Sequence, residues 1–129
     1  MTRINLVHPS ELHTKFLVSE YREIVRVFSL ARNCQNEIHK VKIPNEYTLG
    51  TGHVKFFYTR LKFISERYDA LCEEMVARKF TCNRIPKEDL HHGIDKSMFF
   101  GYVPTENALK LNRDRIAERT TEKMLKQKV

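Results

Sequence analysis

The first residues of the chain, MTRINLV, hold a group that could do covalent chemistry. An α-amine has a reference pKa of about 7.7–8.0, against about 10.4 for lysine, so far more of it is uncharged at neutral pH. An uncharged amine is a nucleophile for imine formation with an aldehyde or a sugar carbon. Nearby cations such as Arg3 and Arg22 would lower the pKa of this amine further. The ordinary alternative is a frayed, dispensable chain end.

Two basic stripes are the next candidate feature. At about 100° per residue, the first lies on a narrow arc of one helix beside Ser19 and consists of Lys15, Arg22 and Arg26. The second has a spacing of four residues and consists of Arg115, Arg119 and Lys123. Together with Arg3 they could hold a phosphate backbone, a contact that positions a protein on DNA without reading its sequence. For either stripe alone, a solvated face with weak ion pairs such as Glu23 with Arg26 is the alternative.

Glu23 is the candidate catalytic carboxylate. An amine that attacks a sugar C1′ needs a carboxylate beside it, to stabilise oxocarbenium-like charge and to transfer protons. On a helix, Glu23 lies between the first basic stripe and an apolar flank formed by Leu12, Phe16, Val27 and Leu30. We therefore expect this carboxylate to be partly buried and close to guanidinium groups.

Periodicity predicts the elements that position these groups. The apolar spacing predicts a first helix over residues 10–36 with Ser10 as its cap, and a second over 53–80. A third helix follows the predicted cap Thr105. No alternating strand pattern is present, so we predict one all-α domain, residues 1–129, with three main helices.

Composition limits the class of protein. The chain has 129 residues, 41% of them apolar, which is typical of a globular domain with a real core. Lys and Arg number 23 against 16 Asp and Glu, a net charge of +7, which favours nucleic acid or an acidic membrane surface as partner. The basic faces have no matching exposed aromatic edge, which disfavours the membrane. We expect a monomer, since no large apolar face beyond the core is evident.

Cysteine usage and the absence of export signals predict an intracellular protein. No apolar run approaches the roughly 20 residues needed to span a bilayer, and the first residues lack a signal-peptide h-region. Three widely spaced cysteines favour reduced thiols over disulfides. Cys82 with His91 and His92 could bind zinc in principle, but a fourth ligand is not evident, so separate thiols and loop histidines are the favoured interpretation.

Five segments carry a resemblance to a known family: TRINLV, SEL, SEYREIVRVF, LGTGHVKFFYTRLKF and GYVPTENA. In this order, and over nearly the whole chain, they resemble the phage-type pyrimidine-dimer DNA glycosylases of viruses and bacteria. The resemblance implies an all-α domain whose N-terminal segment threads between helices and brings its amine to the DNA-binding face. It also implies damaged double-stranded DNA as partner, no metal or organic cofactor, and a bacterial cytoplasm or virus-infected host cell as location.

The resemblance further implies a bifunctional mechanism. Thr2, exposed after removal of Met1, would attack C1′ of the 5′ nucleotide of a cyclobutane dimer and displace its base. The resulting imine permits β-elimination, which breaks the strand on the 3′ side. Glu23 would stabilise the charged sugar and assist the proton transfers.

The same resemblance implies roles for the cations. Arg22 and Arg26 match the family's active-site and phosphate-binding arginines and would orient the catalytic carboxylate. Matches to its cationic phosphate contacts are Arg3, Arg115 and Arg119.

Two departures from the family leave the lesion open. The family's prototype has glutamine and histidine at the positions of Lys15 and Phe16, and an aromatic-rich tail where this chain has no Trp and ends TEKMLKQKV. The alternatives are a glycosylase for another lesion, an enzyme that mainly cleaves abasic sites, and a non-catalytic DNA-binding protein on the same scaffold.

Overall fold

The computed structural model describes residues 3–120. Within this range there are five α-helices: α1 (Thr14–Glu23), α2 (Arg26–Cys34), α3 (Leu61–Ala77), α4 (Lys87–His91) and α5 (Glu106–Arg119). Short 3₁₀ segments occur at Pro9–Glu11, Gln35–Lys40, Lys55–Phe57 and Lys96–Met98. No strand occurs among these residues, so the predicted all-α class is confirmed.

The predicted first helix begins later than expected. Pro9–Glu11 forms a 3₁₀ turn, which places Ser10 inside that turn and not at a helix cap. The imidazole of His13 caps α1 instead, because it accepts the amide of Lys15 at 3.0 Å. The prediction of a start at Ser10 is therefore wrong, and α1 begins at Thr14.

The predicted first helix is also divided in two. α1 ends at Glu23 and α2 begins at Arg26. Ile24 and Val25 keep helical dihedral angles, but the amide of Val27 bonds the carbonyl of Ile24 at 3.1 Å, one residue closer than in an α-helix. The prediction of one continuous helix is therefore wrong, although the apolar residues that recur at helical spacing do pack into the core: Leu17, Tyr21, Ile24, Phe28 and Ala31.

The second predicted helix is shorter than expected. Its first part is a 3₁₀ turn, and α3 begins only at Leu61. The cause is Arg60, whose backbone (φ −121°, ψ 41°) leaves the helical region and forms an antiparallel bridge with Phe99. The guanidinium of Arg60 lies 3.9 Å above the ring of Phe56 and donates to its carbonyl at 2.6 Å, which fixes this corner. The predicted start of this helix is therefore wrong, whereas its apolar stripe does form core.

The third predicted helix agrees with the structure. The hydroxyl of Thr105 accepts the amide of Ala108 at 3.0 Å, so it is the N-cap of α5, as predicted. Asn112, on the face of α5 that packs against the protein interior, has no exposed surface. Arg113 donates to both carboxylate oxygens of Glu11 at 3.2 Å, which ties α5 to the turn before α1.

The apolar side chains of the helices form one cluster. Among its largest members are Phe28, Phe56, Phe57 and Leu61, each at most 1% exposed. Burying a side chain of this size stabilises the fold by about 1.5–3 kcal/mol. Within residues 3–120, none of the helices combines the length and apolarity that crossing a membrane requires.

The N-terminal segment runs through the interior of the protein. Residues Ile4, Asn5, Leu6 and Val7 are at most 7% exposed. They contact polar side chains of three helices: Glu20 of α1, Arg67 of α3 and Asn112 of α5. The predicted threading of this segment between helices is confirmed.

Candidate active site

The backbone of Ile4 is held on both sides by the segment that precedes α3. Its amide donates to Nε2 of His53 at 2.8 Å, and its carbonyl accepts the hydroxyl of Tyr47 at 2.8 Å. Both side chains are at most 5% exposed. Burial raises the pKa of Tyr47, so its hydroxyl stays protonated and able to donate. The first described residues are therefore fixed in direction as well as in place.

Asn112 holds the next part of the segment. Its Oδ1 accepts the amides of Leu6 and Val7 at 2.7 and 3.1 Å, and its Nδ2 donates to Oδ1 of Asn5 at 2.8 Å. Nδ2 of the Asn5 side chain donates to Oε1 of Glu20 at 2.8 Å. One asparagine on α5 thus replaces the partners that a strand or helix would supply to this extended segment.

A buried ion pair completes the network. Arg67 donates to both carboxylate oxygens of Glu20, at 2.7 and 3.0 Å, and also to the carbonyl of Val7. The side chains are 5% and 1% exposed. Removing one partner of such a pair typically costs about 3–5 kcal/mol, because the other charge is left buried. Glu20 of α1 and Arg67 of α3 therefore join their helices to the N-terminal segment through contacts whose loss costs several kcal/mol of stability.

A cleft of about 320 Å³ opens beside the anchored segment. Its cationic lining comes from the N-terminal segment, α1 and α5, and consists of Arg3, Lys15, Arg115 and Arg119. Glu23 contributes a carboxylate, while Phe16 and Ile116 contribute apolar surface. The structure thus brings together five residues that the sequence analysis had placed in one site.

The remaining predicted site residues lie elsewhere. Arg26 contacts the cleft through Glu23, whose Oε2 accepts its Nη1 at 3.0 Å. Arg22 is exposed and is not among the residues that line the cleft. Thr2 and Lys123 fall outside residues 3–120.

The comparison with known families agrees with this arrangement. A model of the pyrimidine dimer DNA glycosylase family matches residues 1–87, about two thirds of the 129 residues. The chain belongs to this family. Membership supports a role as a DNA repair glycosylase and implies DNA containing pyrimidine dimers as the substrate. The matched part of this pyrimidine dimer DNA glycosylase includes Arg3, Lys15 and Glu23, whereas the α5 wall of the cleft lies beyond it.

The cleft of this glycosylase concentrates positive charge. Burial lowers the pKa of Arg3, and the nearby Arg115 and Arg119 lower it further. Among the described residues, Nη1 of Arg3 and Nε of Arg115 are buried without a hydrogen-bond partner. A buried donor left unpaired costs about 1–3 kcal/mol. Both guanidinium groups belong to residues that line the cleft, and a guanidinium group binds an oxyanion through charge-assisted hydrogen bonds. The arrangement suits a phosphate group.

The zinc alternative concerned Cys82, His91 and His92. In the part of the glycosylase chain that the structure describes, no group of three or more His, Cys, Asp or Glu could hold a metal ion. Nε2 of His91 lies 3.2 Å from the hydroxyl of Ser65. Cys82 lines a separate cavity with Cys72.

The sequence analysis did not identify the residues that hold the N-terminal segment. Two of them were detectable in principle, because Glu20 and Arg67 are charged residues on the apolar stripes of their helices. A charge in such a position is seldom buried unless it is paired. Tyr47 gave no comparable signal, since it lies in a segment without periodicity, and His53 stood at the first position of the second predicted helix, where nothing marked it as buried.

Proposed function

We propose that this chain is a bifunctional enzyme, an N-glycosylase and AP lyase that acts on cyclobutane pyrimidine dimers through the amine of Thr2. The observation that carries the proposal is the convergence of Arg3, Glu23, Arg115 and Arg119 on one cleft. Arg3 lines the cleft and directly follows Thr2 in the chain, which supports the amine of Thr2 as the group that acts there.

The reaction begins at the uncharged amine. The amine nitrogen attacks C1′ of the 5′ nucleotide, the bond from C1′ to the base breaks, and the base leaves with the bonding electrons and takes a proton. The nitrogen loses a proton, the bond from C1′ to the ring oxygen O4′ breaks as O4′ takes a proton, and the opened sugar is left as an imine. Removal of a proton from C2′ then expels the 3′ phosphate by β-elimination.

The three arginines of the cleft favour the uncharged amine, because a cation near an amine lowers its pKa.

Glu23 stabilises the oxocarbenium-like charge and carries protons between these steps. Its side chain lines the cleft and is 37% exposed. Arg26 orients it through the 3.0 Å contact. This division of roles keeps one carboxylate for chemistry and leaves Glu20, paired with Arg67, for structure.

The cations hold the DNA backbone. Arg3, Arg115 and Arg119 line the cleft together, and one guanidinium nitrogen of Arg3 and one of Arg115 are buried without a partner among residues 3–120. Further phosphate contacts come from the two basic stripes: from Lys15, which lines the cleft, from the exposed Arg22 and Arg26, and from Lys123, which lies outside the described residues.

The salt dependence of duplex binding tests this role of the cations. If each of the six proposed cations within residues 3–120 neutralises one phosphate, the slope of log affinity against log salt is about −5, and Arg115→Ala should make it about one unit shallower. The six are Arg3, Lys15, Arg22, Arg26, Arg115 and Arg119. Lys40→Ala is the control, because Lys40 pairs with Glu37 and lies outside the cleft lining. A slope near −1 for the unmodified chain would contradict the proposed contacts.

Borohydride trapping tests the enzyme proposal. The substrates are a duplex with one thymine dimer and a duplex with one abasic site, and the adduct is mapped by mass spectrometry on protein confirmed to lack Met1. We expect an adduct at the amine of Thr2 with both. No adduct with either duplex would contradict the proposal and leave a non-catalytic DNA-binding protein.

One observation supports a second candidate, an AP lyase with a different lesion preference. Lys15 and Phe16 line the cleft at the positions where the family's prototype has glutamine and histidine. Trapping on the abasic duplex alone would favour this candidate.

A further inference from the structure

The anchor of Ile4 depends on the protonation state of one ring. The amide of Ile4 donates to Nε2 of His53 at 2.8 Å, and Nδ1 of the same ring lies 2.8 Å from the carbonyl oxygen of Thr48. An amide can only donate and a carbonyl can only accept. Both contacts therefore form only when Nδ1 carries the proton and Nε2 carries none, which is one tautomer of neutral histidine.

The surroundings of the ring favour this neutral form. His53 is 2% exposed, and the rings of Tyr47 and Phe57 pack edge-on against it with centroids at 5.4 and 6.0 Å. Burial lowers the pKa of His53, and Arg3 from the N-terminal segment and Arg115 from α5 lower it further. The carbonyl of Thr48 and the carboxylate of Glu20 on α1 act in the opposite direction.

We propose that His53 is a positioning residue for the N-terminal amine: its neutral form holds Ile4, and its protonation releases Ile4 together with the residues before it. Protonation places a hydrogen on Nε2, where it faces the amide hydrogen of Ile4, so the two donors repel. Ile4 is two residues from Thr2. Among the hydrogen bonds described for the N-terminal segment, the one from the Ile4 amide to His53 lies nearest to the start of the chain. The inference rests on the proposed function only in naming the amine as the group that is positioned.

The direction of the pH effect follows from the lowered pKa. Unfolded histidine titrates near 6.5, so the released form takes up its proton at a higher pH than the anchored form. The anchor is therefore at full strength above about pH 6.5 and weakens as the pH falls from there towards the pKa of the anchored ring. Within that window each pH unit weakens it by up to about tenfold.

Amide hydrogen exchange on the whole chain, measured by NMR, tests the inference without an activity assay. The protection factor of Ile4, corrected for intrinsic exchange, should fall by up to about tenfold per pH unit below about pH 6.5. The amide of Leu6 is the internal control, because its acceptor is Asn112 and does not titrate. Its protection should stay constant. A constant protection factor for Ile4, or a parallel fall at Leu6, would overturn the inference.

A variant provides the second test. In His53→Gln the side-chain oxygen can still accept the Ile4 amide, but the group does not titrate, so the protection of Ile4 should no longer depend on pH. A dependence equal to that of the unmodified chain would contradict the role of His53. Trapping of the amine is measured separately, so failure of the enzyme proposal and failure of this inference give different results.

Discussion

One glycine inserted between Met1 and Thr2 should reduce imine trapping by at least about 100-fold. Ile4, Leu6 and Val7 are held by Tyr47, His53 and Asn112 and cannot shift to absorb an extra residue. The insertion therefore moves the amine by up to about 3.8 Å, the spacing of consecutive Cα atoms. Displacing a reacting group by about 1 Å can already cost 100-fold in rate.

The matched control for the insertion is Thr2→Ser, which keeps the amine in place and should trap at close to the original rate. Mass spectrometry must show that Met1 is absent from both proteins. Equal trapping by the insertion variant would mean that the N-terminal amine is not the nucleophile.

Glu23→Gln should lower base release from a dimer-containing duplex by about 10²- to 10⁴-fold, the usual contribution of a general acid or base. The side-chain oxygen of glutamine can still accept the 3.0 Å contact from Arg26, so binding of the duplex should change little. Single-turnover base release and duplex affinity, measured on the same preparation, separate the two effects.

Glu37→Gln is the control for that experiment. Glu37 pairs with Lys40 at the same i, i+3 spacing and lies outside the cleft lining, so its loss should leave base release unchanged. If Glu23→Gln released base at the original rate, the proposed role of this carboxylate would be wrong.

The sequence predicted the helical core well because burial follows periodicity. Leu17, Ile24 and Phe28 lie at helical spacing and are all buried, and Thr105 caps α5 as its side chain suggested. The limits of the helices were harder to predict. The late start of α3 depends on Arg60 and its bridge to Phe99, a contact between distant parts of the chain that no local pattern reports.

At the candidate site too, local patterns predicted some residues, whereas contacts between distant parts of the chain were missed. Arg3, Lys15, Glu23, Arg115 and Arg119 were chosen from charge patterns and do line one cleft. The groups that hold the N-terminal segment were missed, because each acts on a partner far away in sequence. A pattern search along one helix can find a cationic face, but it cannot show which buried asparagine or histidine will bond a backbone amide elsewhere.

The contact of Leu6 with Asn112 also has a consequence for synthesis of the protein. The two residues are 106 positions apart, so Asn112 is synthesised 106 residues after the Leu6 amide that it holds. Chains are synthesised from the N-terminus at about 5–20 residues per second, so the first residues wait several seconds for their partner. Until α5 has left the ribosome the cleft lacks one wall and the N-terminal segment lacks a main anchor. Under the proposed function, a chain that lacks α5 therefore cannot hold its amine beside a complete cleft, and we expect it to be inactive in imine trapping.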